Sequence, residues 1–461
     1  MTWRDHIVGV DQPVPVLGSG LRPSIHLDNA ASTPVLREVL AAVNAFMPWY
    51  SSVHRGAGHK SQRATQAYEQ ARETVAHFVG ANAQEHTVIF GKNCTEAINK
   101  LSYRLPLGPD DVVLVSLLEH HSNDLPWRAR ARVRHIGLDA QGQLDLAHFD
   151  HLLRSHAGRV RLVAVTGGSN VTGQMPDIHH LAERAHAAGA QILVDAAQLA
   201  PHRAIAMRPL ADPQHLDYVA LSAHKLYAPF GTGALIARRD TFAQGEPEYR
   251  GGGTIELVTT DTVSWAPAPE RDEAGSPNVV GAVALAAALR ALQGLGMAAI
   301  AQHEADLTAY ALRRLAQVPG LRLYGDAQPQ RAAQRLGVIP FNLLTRSHFL
   351  VAAVLSAEHG IAVRNGCFCA HPYLMQLLGL TSTAVEAIRT QMALGDRRSL
   401  PGMVRVSLGL YNTTRDVDRL VEALQQIARG DMRGRYLQDR ASGECRLDED
   451  QHTTALMVTP T

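Results

Sequence analysis

Between about residues 85 and 240, short β-branched runs alternate with helical stretches, a rhythm that few folds accommodate. The runs Thr87-Val88-Ile89-Phe90, Val112-Val113-Leu114-Val115, Leu162-Val163-Ala164-Val165 and Ile192-Leu193-Val194 are apolar throughout, and a helical stretch from Ile178 to Ala188 separates the last two. Continuous apolar runs read as strands buried on both faces, and helices between them imply parallel connections. The expectation is an α/β protein whose large domain is a doubly wound, mostly parallel sheet.

A change of pattern follows Gly275-Ser276-Pro277-Asn278, a turn signal that opens a helix. The Ala-rich Val279 to Leu295 and the amphipathic Met297 to Leu315 read as a linking helix and the start of a smaller α+β domain. Its strands are expected at Leu321-Arg322-Leu323-Tyr324, Val338-Ile339-Pro340-Phe341, Gly360-Ile361-Ala362-Val363-Arg364 and Val404-Arg405-Val406-Ser407, with a closing helix from Thr414 to Gly430. The predicted division is an N-terminal arm (1–25), a large domain (26–278), a small domain (279–430) and a polar, frayed tail (431–461).

Lys+Arg 44 against Asp+Glu 43 leaves a net charge of +1, so there is no basic surplus to hold nucleic acid or anionic lipid. A small-molecule partner is expected instead. The longest apolar stretch, Val279 to Leu289, is too short to span a bilayer, and Met1 to His6 lacks the apolar segment of a secretory signal. Four cysteines, at 94, 367, 369 and 445, are too few for a disulfide framework and suit a reducing compartment. A cytoplasmic setting is the expectation.

Asp195 ends one apolar run, and thirty residues later Lys225 follows another, Tyr218-Val219-Ala220-Leu221. Strand ends at one sheet edge can present both groups to one ligand. A lysine that carries pyridoxal 5'-phosphate (PLP) as a Schiff base needs an acid that keeps the pyridine nitrogen protonated, so the pair points to that cofactor. The competing reading makes Asp195 a helix cap and Lys225 a solvated loop residue. A phosphate also wants a helix N-terminus, which Gly91-Lys92-Asn93-Cys94-Thr95 offers, with Thr95 as the candidate hydroxyl or merely a cap.

His120 follows the strand Val112 to Val115 and has the shape to lie flat on an aromatic ring or to carry a proton, although most of the 23 histidines do neither. Asn170 is either a donor to a ring oxygen or a turn asparagine. In Arg364-Asn365-Gly366-Cys367-Phe368-Cys369-Ala370-His371-Pro372, a cysteine in a Gly-containing loop beside cationic neighbours suits nucleophilic work. Zinc is the rival there, but Cys367-x-Cys369-x-His371 lacks a second ligand pair, so no metal is expected; a merely buried thiol is the other alternative.

Taken together, these segments resemble the fold-type I, class V aminotransferase-like PLP enzymes, and among them the cysteine desulfurase and selenocysteine lyase group associated with the SUF iron-sulfur system. The resemblance runs from about His26 to Gly430. It rests on Leu27-Asp28-Asn29-Ala30-Ala31-Ser32-Thr33, His54-Arg55-Gly56, Thr95-Glu96-Ala97-Ile98-Asn99, Glu119-His120-His121, Ser169-Asn170-Val171-Thr172-Gly173 and Val194-Asp195-Ala196-Ala197-Gln198. Ser222-x-His224-Lys225, Arg250-Gly251-Gly252-Gly253, Gly275-Ser276-Pro277-Asn278, Gly360-Ile361-Ala362-Val363-Arg364 and Arg405-Val406-Ser407-x-x-x-Tyr411-Asn412 complete the set.

The resemblance implies Lys225 as the Schiff-base lysine, Asp195 at the pyridine nitrogen, Gln198 and Asn170 near the ring oxygen, and His120 stacked on the ring. It implies Thr95, Ser222 and His224 at the phosphate, with Gly252, Gly253 and Thr254 reaching a neighbouring subunit's cofactor in a homodimer. Arg405 would grip a substrate carboxylate as a bidentate fork, with Asn170, Ala31, His54 and Arg364 around the substrate. Cys369 aligns with the family's sulfur acceptor, so L-cysteine would leave its sulfur there as a persulfide, depart as L-alanine, and pass the sulfur to an acceptor protein. The alternative is a class V aminotransferase or a C-S lyase acting on another amino acid or a modified cysteine, with Cys369 incidental. Two features depart from the pattern: Cys367 two residues before Cys369, which suggests a relay or resolving role, and a helix-like insert over 375–394 that would shield the cysteine loop or alter docking.

Overall fold

The central sheet has seven strands: β1 (His86–Gly91), β2 (Val112–Ser116), β3 (Arg132–Ile136), β4 (Val160–Thr166), β5 (Gln191–Asp195), β6 (Tyr218–Ser222) and β7 (Gly233–Arg238). This computed structural model describes residues 2–448. The strands lie in the order β1-β7-β6-β5-β4-β2-β3. Only β7 runs against its neighbours β1 and β6, while β6, β5, β4, β2 and β3 pair in parallel. All five residues of β2 and of β6 are buried, as expected for strands covered on both faces.

Helices pack on both sides. α1 (Cys94–Arg104) starts at the end of β1, and α2 (Ile178–Ala187) crosses from β4 to β5. α3 (Val279–Leu295) buries eleven residues, ten of them in the same apolar core that holds Val39, Tyr68 and Val75. The boundary drawn at 278 thus falls before a helix that belongs to the large core, because its alanine-rich surface lets two neighbouring helices, Arg37–Phe46 and His59–Phe78, approach closely.

The smaller unit is a four-stranded antiparallel sheet of Leu321–Leu323, Val338–Leu343, Met403–Ser407 and Arg364–Gly366, backed by helices Met297–Leu315, His348–His359 and Thr414–Arg429. The chain's beginning also joins this unit: Ile25–His26 pairs in parallel with Ile361–Ala362, and Leu27 lies in its core. That pairing delivers Asp28 to Ala31 to the cleft between the two sheets. Asn29 fixes the segment by donating to the Ser407 carbonyl at 2.9 Å and accepting from the Tyr411 hydroxyl at 2.8 Å.

Residues 431–448, read from composition as a frayed tail, instead carry a hairpin of Tyr436–Gln438 and Cys445–Leu447. The carboxylate of Glu358, 3% exposed, collects the N–H groups of Arg433 and Gly434 and the hydroxyl of Tyr436. These partners satisfy polar groups whose abundance suggested disorder. The remainder of that expected tail, 449–461, lies outside the described residues. The insert forms two helices rather than one, α4 (His371–Leu377) and α5 (Ser382–Ala393), separated at Gly379, whose φ of +67° ends the first.

Candidate active site

Six of the seven strands point the same way, and the C-terminal ends of five of them, all but β3, open on one cavity of about 270 Å³. The large domain's wall residues arrive from several strand ends, as the edge of a doubly wound sheet allows. Asn93 and Thr95 follow β1, His120 and Ser122 follow β2, Asn170 follows β4, Asp195 ends β5, and Ser222, His224 and Lys225 continue β6. The small unit supplies Arg364, Phe368, Cys369 and Arg405, and the N-terminal segment supplies Ala30 and Ala31.

Asp195 is 5% exposed. Its Oδ1 accepts from the Ala197 N–H at 3.0 Å and from the Cys94 thiol at 3.2 Å, which leaves Oδ2 for the cavity. Burial lowers the proton affinity of the Lys225 amine, with the Asp195 charge acting in the opposite direction. A less basic amine is a better nucleophile and proton carrier near neutral pH. The Asp195 and Lys225 side chains line the same cavity, so neither is the plain cap or solvated lysine of the competing reading.

At the start of α1, Asn93 does act as a cap, accepting from the Glu96 N–H at 3.0 Å. β7 passes so close beneath that a Cβ on Gly233 would stand 2.4 Å from the Asn93 carbonyl carbon. The cap thereby sits at a fixed height at the strand ends, and the exposed Thr95 hydroxyl bonds to that of Ser122 at 2.7 Å. Helix N-terminus, two hydroxyls and the nearby Ser222 and His224 make an anion cradle.

His120 accepts at Nδ1 from the Ser122 N–H at 3.1 Å, so in the neutral ring the proton resides on Nε2. Burial, reinforced by Lys225, lowers its pKa to about 4, and the same two causes bring His224 to about 4. Both rings are uncharged at neutral pH. Because the unfolded chain binds protons there first, near the ordinary pKa of about 6.5, these two groups reduce stability as pH falls from that value toward about 4. Titration of histidine-selectively labelled protein by NMR should place His120 among the rings still neutral at pH 5; protonation near pH 6.5 would contradict its environment.

Arg405 is 2% exposed and pairs with Asp28 at 2.7 Å, donates to the Asn170 carbonyl at 3.0 Å, and rests its guanidinium 4.9 Å from the Phe368 ring centre. Its Nε is buried with no partner among the described residues. Asn170 donates to the Phe368 carbonyl at 2.7 Å, and Gln198 donates to the Ala30 carbonyl at 2.7 Å, so each amide is partly engaged in holding the walls. Phe368 and Cys369 both have φ of +53°, left-handed values that are costly for non-glycine residues and that turn Cys369 outward into the cavity. The His121 N–H clamps this turn by donating to the Cys369 carbonyl at 2.7 Å.

Two expected site residues lie elsewhere. His54 and the Gly252–Gly253 segment line a separate cleft, and Thr254 is fully buried with its hydroxyl on the Gly251 carbonyl at 2.7 Å. Neither His54 nor Thr254 reaches the cavity of its own chain, because the stretch that carries each leaves the strand ends. Conversely, Cys94, Ser122, Phe368 and Asp28 shape the site without having been singled out from sequence. Ser122 alone had a local signal, a hydroxyl two residues after a strand-end histidine.

The residues present fit PLP: a buried acid with one oxygen directed to the cavity, an amine of lowered basicity, neutral imidazoles and an anion cradle, all on one wall set. Fold and site define a fold-type I enzyme of the PLP type. The chain belongs to the aminotransferase class-V family, whose model matches residues 25–420. It is 37% identical to a cysteine desulfurase of Dickeya dadantii (strain 3937) over 436 residues, covering 92% of this chain and 96% of that one. It is 38% identical to the cysteine desulfurase of Pectobacterium atrosepticum over 428 residues, 90% of this chain and 96% of the relative. Among solved structures it is similar to apo cysteine desulfurase from Thermococcus onnurineus NA1, with a TM-score of 0.76, 31% identity, and 88% and 95% of the two chains covered. An S-sulfonic acid form of a cysteine desulfurase from Escherichia coli gives a TM-score of 0.73 at 31% identity, covering 89% and 96%.

Proposed function

We propose that this chain is a PLP-dependent cysteine desulfurase that takes sulfur from L-cysteine onto Cys369 and releases L-alanine. The observation that carries the reading is that the Cys369 thiol, the Lys225 amine and the Arg405 guanidinium line one cavity, so a single small amino acid can meet a sulfur acceptor, a base and a carboxylate clamp together. Asp195, His120, Thr95, Ser222, His224, Gln198 and Asn170 would hold the cofactor, which supplies an electron sink for negative charge at the substrate α-carbon.

Arg405 orients the carboxylate, and its unpartnered Nε gives it a donor to spend there. Arg364 lies opposite Arg405 in the strand register and adds positive charge to the same end of the cavity. Lys225 removes the α-proton and later returns a proton to the side-chain carbon. The Cys369 sulfur attacks the substrate sulfur: the new S–S bond forms as the substrate C–S bond breaks, the electron pair stays with carbon, and alanine leaves. The enzyme retains one sulfur as a persulfide, which a sulfur-acceptor protein would collect at the exposed loop.

Cys367 is placed differently from Cys369. Its thiol donates to the Pro401 carbonyl at 3.1 Å and is pushed up to about 11 by burial, so it stays protonated and is a poor competitor for the sulfur. The separate cleft with His54, Gly252 and Gly253, and the exposed Tyr50, Leu257 and Val258 near it in the chain, support a homodimer in which this face meets the partner's cavity. Incubation of the PLP-loaded protein with L-cysteine should release alanine and yield one persulfide sulfur per alanine. Pyruvate and ammonia, or a transaminated keto acid, in place of alanine would instead identify the lyase or aminotransferase.

A further inference from the structure

Residue 121 holds the Cys369 turn at two points, and the second is made by its side chain. Its main-chain N–H donates to the Cys369 carbonyl at 2.7 Å, while its ring Nε2 accepts from the main-chain N–H of His371 at 3.3 Å. His371 Nδ1 stands 3.1 Å from the same Nε2, and the two rings lie parallel within 5° with centres 4.9 Å apart. A main-chain N–H can only donate. Whichever tautomer His371 adopts, His121 Nε2 is therefore an acceptor, and the neutral His121 ring carries its proton on Nδ1.

His371 is the first residue of α4, where the leading N–H groups have no partner within the helix. A Ser, Thr, Asp or Asn just before it would ordinarily supply one, but the cap position is Ala370, whose side chain has no acceptor. Pro372 has no N–H, and the Leu374 N–H returns to the Ala370 carbonyl at 3.0 Å. The His371 N–H is met instead from 250 residues away, by the loop that follows β2. α4 itself is rooted in the large core through Tyr373 and Leu374, both fully buried, and Tyr373 Oη lies 2.9 Å from Thr172 Oγ1. Cys369 thus sits between an anchored helix and Phe368, whose carbonyl Asn170 holds. With left-handed φ values at both 368 and 369, the link between those anchors has to be restrained from outside to keep its shape.

We propose that the His121 imidazole is a positioning residue for sulfur transfer: by capping α4 at the His371 N–H, it keeps the Cys369 turn in the conformation that presents the thiol to the cavity. This inference rests on the reading of Cys369 as the sulfur acceptor. His121 is not among the residues that line the cavity with Lys225, Arg405 and Cys369, so it acts through the turn and not on substrate or cofactor. Arg405 and Arg364, at the carboxylate end, make no contact with the cap. An attacking atom displaced by about an ångström loses rate by roughly a hundredfold. The cap's signature is therefore a loss in kcat with little change in KM.

The test compares PLP-loaded parent protein with two variants: His121→Gln, whose amide oxygen can replace Nε2 as acceptor, and His121→Ala, which keeps only the main-chain contact. Hydrogen exchange read by mass spectrometry follows residues 367–377 without substrate, and persulfide formation on Cys369 is timed over a range of L-cysteine concentrations. In His121→Ala this segment should exchange roughly fivefold faster, the scale of a lost helix cap. Persulfide formation at saturating L-cysteine should fall roughly tenfold or more, with KM within about twofold of the parent. His121→Gln should bring both back near the parent values, and the visible absorbance of PLP should be the same in all three proteins. Unchanged exchange and rate in His121→Ala would overturn the inference. So would a His121→Gln protein as impaired as His121→Ala, because the ring would then be a packing element and not an acceptor. A parent protein that forms no persulfide on Cys369 would defeat the desulfurase reading and the role in sulfur transfer with it, while the exchange comparison would still decide the cap.

Discussion

Lys225→Ala protein is expected to lose both the covalent link to PLP and nearly all turnover, while remaining folded. The amine follows β6 by three residues, and the backbone there is held from outside the side chain: the His224 carbonyl accepts from the Thr33 N–H at 3.0 Å, and the Leu226 N–H donates to the Ala223 carbonyl at 2.9 Å. Removing the side chain breaks none of these bonds, and it removes an amine whose basicity burial had lowered. The loss of general base alone is worth roughly 10²- to 10⁴-fold, and the lost attachment adds to it. Borohydride reduction followed by peptide mass spectrometry should find the cofactor mass on the Lys225 peptide of the parent and on no peptide of the variant. Cofactor fixed to another lysine, or turnover within tenfold of the parent, would refute the assignment.

The parts of this site legible in the sequence are those whose signal is local. Asp195 and Lys225 sit directly at the ends of apolar strands, and α/β topology alone brings strand ends together, so their convergence followed from the alternation of elements. Thr95, His120 and Asn170 were legible for the same reason. The contacts that tune these groups were not, because they cross long stretches of chain: Cys94 and Asp195 are 101 residues apart, and Asp28 and Arg405 are 377 apart. No periodicity encodes which distant side chain fills a given gap.

His54 and Thr254 illustrate a different limit. Their expected roles came from the resemblance alone, and in the homodimer proposed above a residue that faced the partner's cavity would leave no geometric trace in its own. The hairpin over 436–447 shows a third limit. A polar composition with little apolar content reads as disordered, yet one buried carboxylate, Glu358, organises its beginning. That carboxylate lies 75 residues before Arg433, outside any local window.

Cys369→Ala is expected to separate sulfur transfer from cofactor binding. Cys369 is exposed and reaches the cavity from the small unit, whereas Asp195, Lys225 and the hydroxyls of Thr95 and Ser222, proposed above to hold the cofactor, all come from strand ends of the large sheet. Its loss should therefore leave the visible absorbance of bound PLP in place. The left-handed turn does not depend on the thiol, since the clamp from the His121 N–H is to the Cys369 carbonyl and the Asn170 amide holds the Phe368 carbonyl. Persulfide formation should vanish, because Cys367 is kept as a thiol by the Pro401 carbonyl and by burial. Alanine release from cysteine should fall by roughly 10²-fold or more, the scale of losing a positioned nucleophile whose place water fills poorly. Trapping persulfide with an alkylating probe and measuring alanine in the same samples checks both halves. Undiminished alanine release would remove Cys369 from the chemistry, and persulfide appearing on Cys367 in the variant would make that thiol the working acceptor despite its environment.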